Sequence, residues 1–259
     1  MIILSRLGDD HRKYDINRQD VACVVGGGRI LFSGEKKEDV DKALPLMGSP
    51  IKFVMDGCGG TPHPEVGAKL FAQFFAHFGC ENPMKDFETT AFRAMLQLKQ
   101  TMSTDSLLID NASFTILACF ELPTHFVVKY IGDGYLLGIT KDGILDVIEL
   151  DDHGGMPPYL AYNYVKDRNI LTMHQENLQF ETRAFPKAKY VNAGVATDGW
   201  RFLKDLEERS KLDPKDKRWV DPKDVTKWHE AVLTDKAGWL SQVVNKNSGI
   251  FRDDLAICI

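Results

Sequence analysis

The chain has 259 residues, 44% of them hydrophobic and 27% charged, which is enough apolar sequence to bury a large core as one domain or two small ones; we favour one. Its net charge of −5 and pI near 5.8 exclude a broad electrostatic attraction to nucleic acid or to anionic membranes. Five scattered cysteines, odd in number and without a CxxC pair, argue against a disulfide framework or a zinc site, so we expect reduced thiols in a cytoplasmic protein.

Predicted elements in the first half of the chain are a hairpin, a strand and two helices. Apolar runs at 20–25 and 29–35 are joined by three glycines, and "IKFVMD" forms a further strand. From Val66 to Phe78, apolar residues recur at three- and four-residue steps after "TPHPE", which predicts a helix. A second helix is predicted over "MKDFETTAFRAMLQLKQTM". The N-terminus has a three-residue apolar run and no stretch of eighteen apolar residues occurs, so neither a signal peptide nor a membrane span is expected.

The second half is predicted to be mainly strands, with one charged helical segment. "THFVVKYIGDGYLLGITKDGILDVIEL" predicts a three-stranded meander with turns at "GDG" and "KDG", and "KYVNAGVATDG" and "LAICI" add two strands. Residues 201–230 hold nine Lys/Arg and eight Asp/Glu, a balance that favours a solvated helical excursion over a nucleic-acid surface. Antiparallel strands with helices grouped between them predict a layered α+β fold. We assign residues 1–259 to one domain, with the excursion at about 201–245.

Four acidic residues carry the chemical signal: Asp56, Asp133, Asp198 and Asp253 each lie at the end or edge of a predicted strand. Taken singly, an Asp-Gly pair is most often a β-turn. Neighbouring carboxylates in a compact core, however, repel one another and must be protonated or bound to cations. Oxygen ligands without His or Cys suit hard ions such as Mg²⁺ or Mn²⁺. If these strand ends meet, the sequence predicts a site for such an ion.

Five motifs follow in order: "NRQDVACVV", "FVMDGCGG", "YIGDGYLLGI", "GVATDGW" and "FRDDLAICI". In order and spacing they resemble the metal-dependent protein phosphatases, the protein phosphatase 2C family, from about residue 8 to the C-terminus. The opening, with His11 nine residues before Asp20, is more similar to a bacterial branch in which Gly-x-x-His precedes "QD". The resemblance implies a four-layer α/β/β/α sandwich, with two central antiparallel β-sheets flanked by helices.

The resemblance also implies a set of metal ligands. Asp56 would bridge two Mn²⁺ or Mg²⁺ ions, the Gly57 carbonyl would ligate the second, and Asp198 and Asp253 would complete the shell of the first. A bridging water would then attack a phosphate monoester in line, without a phosphoenzyme. Asp56 and Asp198 are therefore also our candidate catalytic residues.

Further roles are implied around this pair of ions. Asp20 would hold metal-bound waters, and Asp133 would join Asp198 at a weaker third metal site. His11, whose spacing fits the bacterial branch, is placed near the site and counted with the catalytic residues. Arg12 is a candidate phosphate-binding residue and is counted with them.

The chain departs from the family pattern at several of these positions. Gln19 stands where many members have Glu, and the usual phosphate-binding Arg falls on Asp15, so that Arg12 or Arg18 would substitute. Each arginine is otherwise a solvated surface residue.

A His that serves many members as the candidate general acid is also displaced. Cys58 and Thr61 occupy its usual places, and His63, two residues late, is either near the leaving oxygen or an exposed loop residue. In this interpretation Cys58 is a packing residue and not a nucleophile.

The predicted function is therefore a Mg²⁺/Mn²⁺-dependent serine/threonine phosphoprotein phosphatase. Its partners would be phosphorylated Ser/Thr proteins and a cognate signalling kinase, with neither nucleic acid nor membrane, and a cytoplasmic monomer is expected. The alternatives are a noncatalytic phosphatase-like module that binds or senses phosphorylated partners, and hydrolysis of a small phosphorylated metabolite.

Overall fold

In the computed structural model, the described residues are 1–6, 8, 19–35, 37–150, 157–166, 178–234 and 236–259, and they form eleven strands in two antiparallel sheets. The strands are β1 (Ile3–Arg6), β2 (Val21–Gly26), β3 (Arg29–Phe32), β4 (Ile51–Met55), β5 (Ile116–Glu121), β6 (His125–Ile131), β7 (Tyr135–Thr140), β8 (Leu145–Glu149), β9 (Glu181–Pro186), β10 (Tyr190–Ala196) and β11 (Leu255–Cys258). One sheet has the order β3-β2-β4-β5-β6-β9 and the other β1-β11-β10-β7-β8.

Seven α-helices accompany these strands in the described part of the chain. They are α1 (Lys37–Ala43), α2 (Pro64–Phe78), α3 (Pro83–Thr101), α4 (Asp105–Ala112), α5 (Arg201–Ser210), α6 (Pro222–Leu233) and α7 (Ala237–Lys246).

Three apolar clusters separate the four layers. Successive strand residues point to opposite faces of a sheet, so on β4 the Phe53 and Met55 side chains pack toward α2 and α3, while Val54 packs between the two sheets. Residues of β7, such as Leu137, pack outward against α5, α6 and α7. The predicted four-layer α+β sandwich is confirmed.

The predicted meander is wrong in one respect. Its three strands exist, but β6 pairs with β5 and β9, whereas β7 pairs with β8 and β10 in the other sheet. The "GDG" turn therefore crosses from one sheet to the other and does not close a hairpin. Gly132 and Gly134 have φ values of 99° and 128°, which only glycine adopts readily, and they lift Asp133 to the end of the sandwich.

The other predicted elements agree closely with the structure. The β2–β3 hairpin turns at Gly27 and Gly28, where φ is 55° and 70°. Helices α2 and α3 lie within two residues of their predicted limits, although Val66 is 42% exposed and does not face the core. Five elements were not predicted from the sequence: β1, β5, β9, α1 and α4.

The charged segment after residue 200 is helical and lies against the five-stranded sheet. Its three helices bury Trp228, whose ring meets Trp200 edge-on at 5.6 Å between centroids. Within the described residues, no helix combines the length and the apolar character that a membrane crossing requires.

Candidate metal centre

The four acids singled out in the sequence meet at one end of the sandwich. β4, β6 and β10 end there, and β11 begins there, so the loops that carry the acids adjoin. Asp56, Asp133, Asp198 and Asp253 line a single cleft of about 690 Å³. The convergence that the sequence left conditional is therefore present.

Asp20 lies behind this cleft at the start of β2. Its Oδ2 accepts a hydrogen bond of 2.6 Å from the Thr197 hydroxyl, and its backbone carbonyl accepts one of 2.8 Å from Ser5 Oγ. Burial, followed by repulsion from Asp254, raises the pKa of Asp20 well above its usual range. Asp20 is therefore a fixed, buried acid behind the cleft.

Asp56 joins the buried acid to the open cleft. Its backbone is fixed by a two-way exchange with Thr115, in which Asp56 N donates to Thr115 Oγ1 (3.1 Å) and Thr115 N donates to Asp56 O (2.8 Å). Its carboxyl group contacts those of Asp20 and Asp198. Burial and then the charges of Asp20, Asp198 and Asp133 raise its pKa well above the usual range. Carboxyl groups in such contact require a proton or a cation between them.

Glycines let the loops around the cleft approach closely. A Cβ at Gly57 would lie 2.6 Å from Pro64 Cγ and 2.9 Å from the Gln19 carbonyl oxygen. One at Gly199 would lie 1.9 Å from the Asp254 carbonyl oxygen, which brings the "TDG" and "RDD" loops into contact. The glycines that follow Asp56 and Asp198 are thus required by packing.

The adjacent acids Asp253 and Asp254 divide their roles. Asp253 lines the cleft, whereas the Asp254 side chain turns inward, where it is 1% exposed and accepts hydrogen bonds from Gly8 N (2.7 Å) and Gln19 N (2.5 Å). Asp254 thereby holds the chain that leads into Asp20. Asp254 was not predicted from the sequence; the doubled acid before a buried strand was the available signal.

Arg201 is the second residue that the sequence analysis missed. Its Nη1 lies 3.0 Å from Asp198 Oδ2 and its Nη2 lies 3.4 Å from Asp253 Oδ2. The pKa of Asp198 is raised by burial, and Arg201 opposes that shift. A guanidinium group therefore bridges two of the acids expected to hold metal.

The donor set has the chemistry of a hard-cation site. Carboxylate oxygens predominate, and the raised pKa values of Asp20 and Asp56 show that burial and mutual repulsion make two adjacent ionised groups unfavourable here without a counter-charge. In the described part of the chain, no group of three His, Cys, Asp or Glu side chains is arranged closely enough to enclose an ion. The residues fit a divalent ion by type, and Arg201 already supplies positive charge between two of them.

Of the remaining candidates, His11, Arg12, Asp15 and Arg18 lie outside the described residues. The His63 side chain is 58% exposed, is not among the described lining residues and lies 4.0 Å from Glu65 Oε1, as expected of a loop histidine.

The Cys58 loop lies at the cleft and is braced by Gln19. Cys58 and Tyr159 both line the cleft. The Gln19 side-chain amide approaches the Cys58 and Thr61 carbonyl oxygens at 3.4 Å, so it supports this loop where a Glu would have added charge.

A two-sheet sandwich with an acidic cleft at its strand ends has the donor chemistry of a metal-dependent hydrolase. The family model described as "Protein phosphatase 2C" matches residues 8–236. The chain belongs to the protein phosphatase 2C family. No curated protein sequence matches it significantly.

Solved bacterial structures share the fold at low sequence identity. The serine/threonine phosphatase Stp1 from Staphylococcus aureus has 13% identity and a TM-score of 0.57, with 99% of this chain and 92% of that chain covered. A bacterial serine phosphatase has 15% identity and a TM-score of 0.56, with 99% and 94% covered. The S. agalactiae serine/threonine phosphatase has 11% identity and a TM-score of 0.52, with 98% and 96% covered. These similarities establish the fold.

Proposed function

We propose that this protein is a Mn²⁺- or Mg²⁺-dependent serine/threonine phosphoprotein phosphatase. The observation that carries the proposal is the meeting of Asp56, Asp133, Asp198 and Asp253 in one cleft, with the Asp20 carboxyl in contact behind Asp56. Membership of the phosphatase family makes hydrolysis of a phosphate monoester the reaction that such a cleft would perform.

In this proposal each acid has a defined part. Asp56 would hold two ions, with the Gly57 carbonyl at the second and Asp198 and Asp253 at the first. Asp133, which faces the same cleft, would share a weaker third ion with Asp198. When bound, the ions would supply an activated water and neutralise charge on the phosphoryl oxygens.

The protein's own contribution is to hold these groups in place. Thr197 fixes the Asp20 carboxyl, which contacts Asp56. Two hydrogen bonds with Thr115 fix the Asp56 backbone, so Asp56 needs little rearrangement. Asp254 anchors the Gln19 backbone just before Asp20. In this proposal His11 and Arg12 keep the catalytic roles that the family resemblance implies. Preorganised groups of this kind lower the cost of reaching the transition state.

The test is phosphate release from a generic phosphate monoester and from a phosphothreonine peptide with Mn²⁺. We expect the wild-type protein to act on both and to prefer the peptide, and Asp56→Asn and Asp198→Asn to lose at least about 100-fold, the size of effect seen for a lost electrostatic group. Lys211→Ala, a surface change distant from these acids, serves as the control. Wild-type release no faster than that of the two variants would refute the proposal. A preference for small phosphorylated metabolites over the peptide would change the proposed substrate class.

A noncatalytic module is the alternative, and Asp15 at the usual arginine position favours it. Such a module would bind the phosphopeptide without releasing phosphate.

We also propose that residues 1–259 form one catalytic domain, since the helices of the 201–245 excursion pack on the five-stranded sheet. In this proposal the protein acts as a monomer in cytoplasmic signalling, opposite a cognate kinase.

A further inference from the structure

Arg201 occupies an unusual position for a basic side chain. It begins α5, three residues after Asp198, and its guanidinium forks between Asp198 Oδ2 (3.0 Å) and Asp253 Oδ2 (3.4 Å). The side chain is 49% exposed, and its Cζ lies 5.1 Å from the centroid of the Phe202 ring. Its guanidinium is therefore held between the two carboxylates and beside the Phe202 ring, while half of the side chain stays exposed at the cleft.

The charges around the cleft make this position significant. Among the described residues that line the cleft, one is a lysine or arginine, namely Arg201. Five are acidic: Asp56, Asp133, Glu149, Asp198 and Asp253. Glu149 has its own partner, since Lys204 Nζ lies 2.7 Å from Glu149 Oε2. In the described part of the lining, Arg201 is thus the basic group available to an incoming anion.

The two carboxylates that Arg201 engages are those required by the first ion in the proposed function. A divalent ion carries twice the charge of a guanidinium and binds the same oxygens, so the two compete. A guanidinium that is released there stays in the cleft on a flexible side chain. Its planar fork matches two oxygens of a phosphate as well as it matched two carboxylates.

We propose that Arg201 is a phosphate-binding residue of this cleft. Without metal it neutralises Asp198 and Asp253; once a divalent ion takes those carboxylates, it binds the phosphoryl oxygens of the substrate. This inference rests on the proposed function, and it accounts for a chain that has Asp15 where the family's usual arginine would be.

The first measurement is Mn²⁺ binding by calorimetry or electron paramagnetic resonance. For Arg201→Ala we expect a dissociation constant about two- to fivefold lower than for the wild type, because the lost competitor is a half-exposed ion pair. Arg201→Lys should resemble the wild type. Lys211→Ala removes one positive charge from an (i, i+3) pair at the other end of the same helix, and it should leave Mn²⁺ binding unchanged.

The second measurement is binding of inorganic phosphate to the Mn²⁺-saturated protein by calorimetry. Arg201→Ala should weaken phosphate binding about tenfold or more, as expected for lost charge-assisted hydrogen bonds. Arg201→Lys should lie between, since it keeps the charge and loses the fork, and Lys211→Ala should bind as the wild type does.

An Arg201→Ala protein with unchanged or weaker Mn²⁺ affinity, or with unchanged phosphate affinity, overturns the inference. If circular dichroism shows that Arg201→Ala does not fold, Arg201→Lys becomes the test. A phosphate affinity of Arg201→Lys equal to that of the wild type would then overturn the inference. If this inference fails but the proposed function holds, the wild-type protein still binds Mn²⁺ and releases phosphate, and Asp56→Asn does neither. Wild-type protein that binds no Mn²⁺ removes the proposed function and this inference together.

Discussion

The Thr197 hydroxyl donates a 2.6 Å hydrogen bond to Asp20 Oδ2 across 177 residues of chain. The same oxygen accepts a 2.9 Å bond from Ala256 N, and Thr197 is fully buried. One hydroxyl group thus connects the start of β2 with β10 and β11, and it fixes the acid that supports Asp56.

We expect Thr197→Val to lower the free energy of unfolding by about 1–3 kcal/mol, because a buried acid loses a donor and a buried amide loses its acceptor. Thr197→Ser keeps the hydroxyl group and should lose about 1 kcal/mol, the cost of one buried methyl. Urea unfolding without metal measures both. A valine variant as stable as the serine variant would show that the bond contributes nothing.

Asp56→Asn should affect the metal-free and the metal-bound protein in opposite directions. It removes one carboxyl from a buried, mutually repelling cluster, so the metal-free variant should unfold at a temperature equal to or above that of the wild type. Mn²⁺ should stabilise the wild-type protein by about 2.7 kcal/mol at 100 times its dissociation constant and leave the variant unchanged.

Thermal unfolding with EDTA and with Mn²⁺ measures both effects of Asp56→Asn. Asp205→Asn, at an exposed position of α5 outside the described lining of the cleft, provides the matched surface control. Equal stabilisation of the variant and the wild type by Mn²⁺ would exclude Asp56 as a principal ligand.

Substitutions in the Asp253–Asp254 pair should separate metal binding from folding. Asp254→Ala leaves the Gly8 and Gln19 amides without their acceptor and should cost about 1.5–3 kcal/mol, whereas Asp254→Asn keeps one oxygen and should cost less. Asp253→Asn, whose side chain is 42% exposed, should weaken Mn²⁺ binding with little change in stability. Urea unfolding and Mn²⁺ titration are compared for each variant. Reversal of the two phenotypes would exchange the roles assigned to the two acids.

Gly57→Ala should be far more damaging than Gly60→Ala, three residues later. The added Cβ at Gly57 meets Pro64 and the Gln19 carbonyl oxygen below 3.0 Å, so we expect a loss of about 1–3 kcal/mol and weaker Mn²⁺ binding. At Gly60 the nearest atom is Cys58 Sγ at 3.8 Å, and the change should stay within about 0.5 kcal/mol. Chemical unfolding measures the stability of both variants. Comparable losses of stability would show that the close approach at Gly57 carries no cost.

Local sequence predicted most of the scaffold because strands and helices have short repeats of apolar residues. It failed for β9, "ETRAFP", a mostly exposed edge strand without an apolar run, and for β5, a continuous apolar run that was not separated from its surroundings. It also failed at "GDG", because turn chemistry specifies a reversal of the chain and not the sheet that the next strand joins.

The sequence by itself determined where the acids and their glycines stand, at the ends of apolar strands, and thus the class of chemistry they suit. The tertiary structure decided which of them meet. Asp254 turns inward and Asp253 faces the cleft because β11 begins there with its side chains alternating between the two faces. Arg201 lies beside Asp198 through helical spacing, but it reaches Asp253, 52 residues away, because β10 and β11 are paired and bring their loops together.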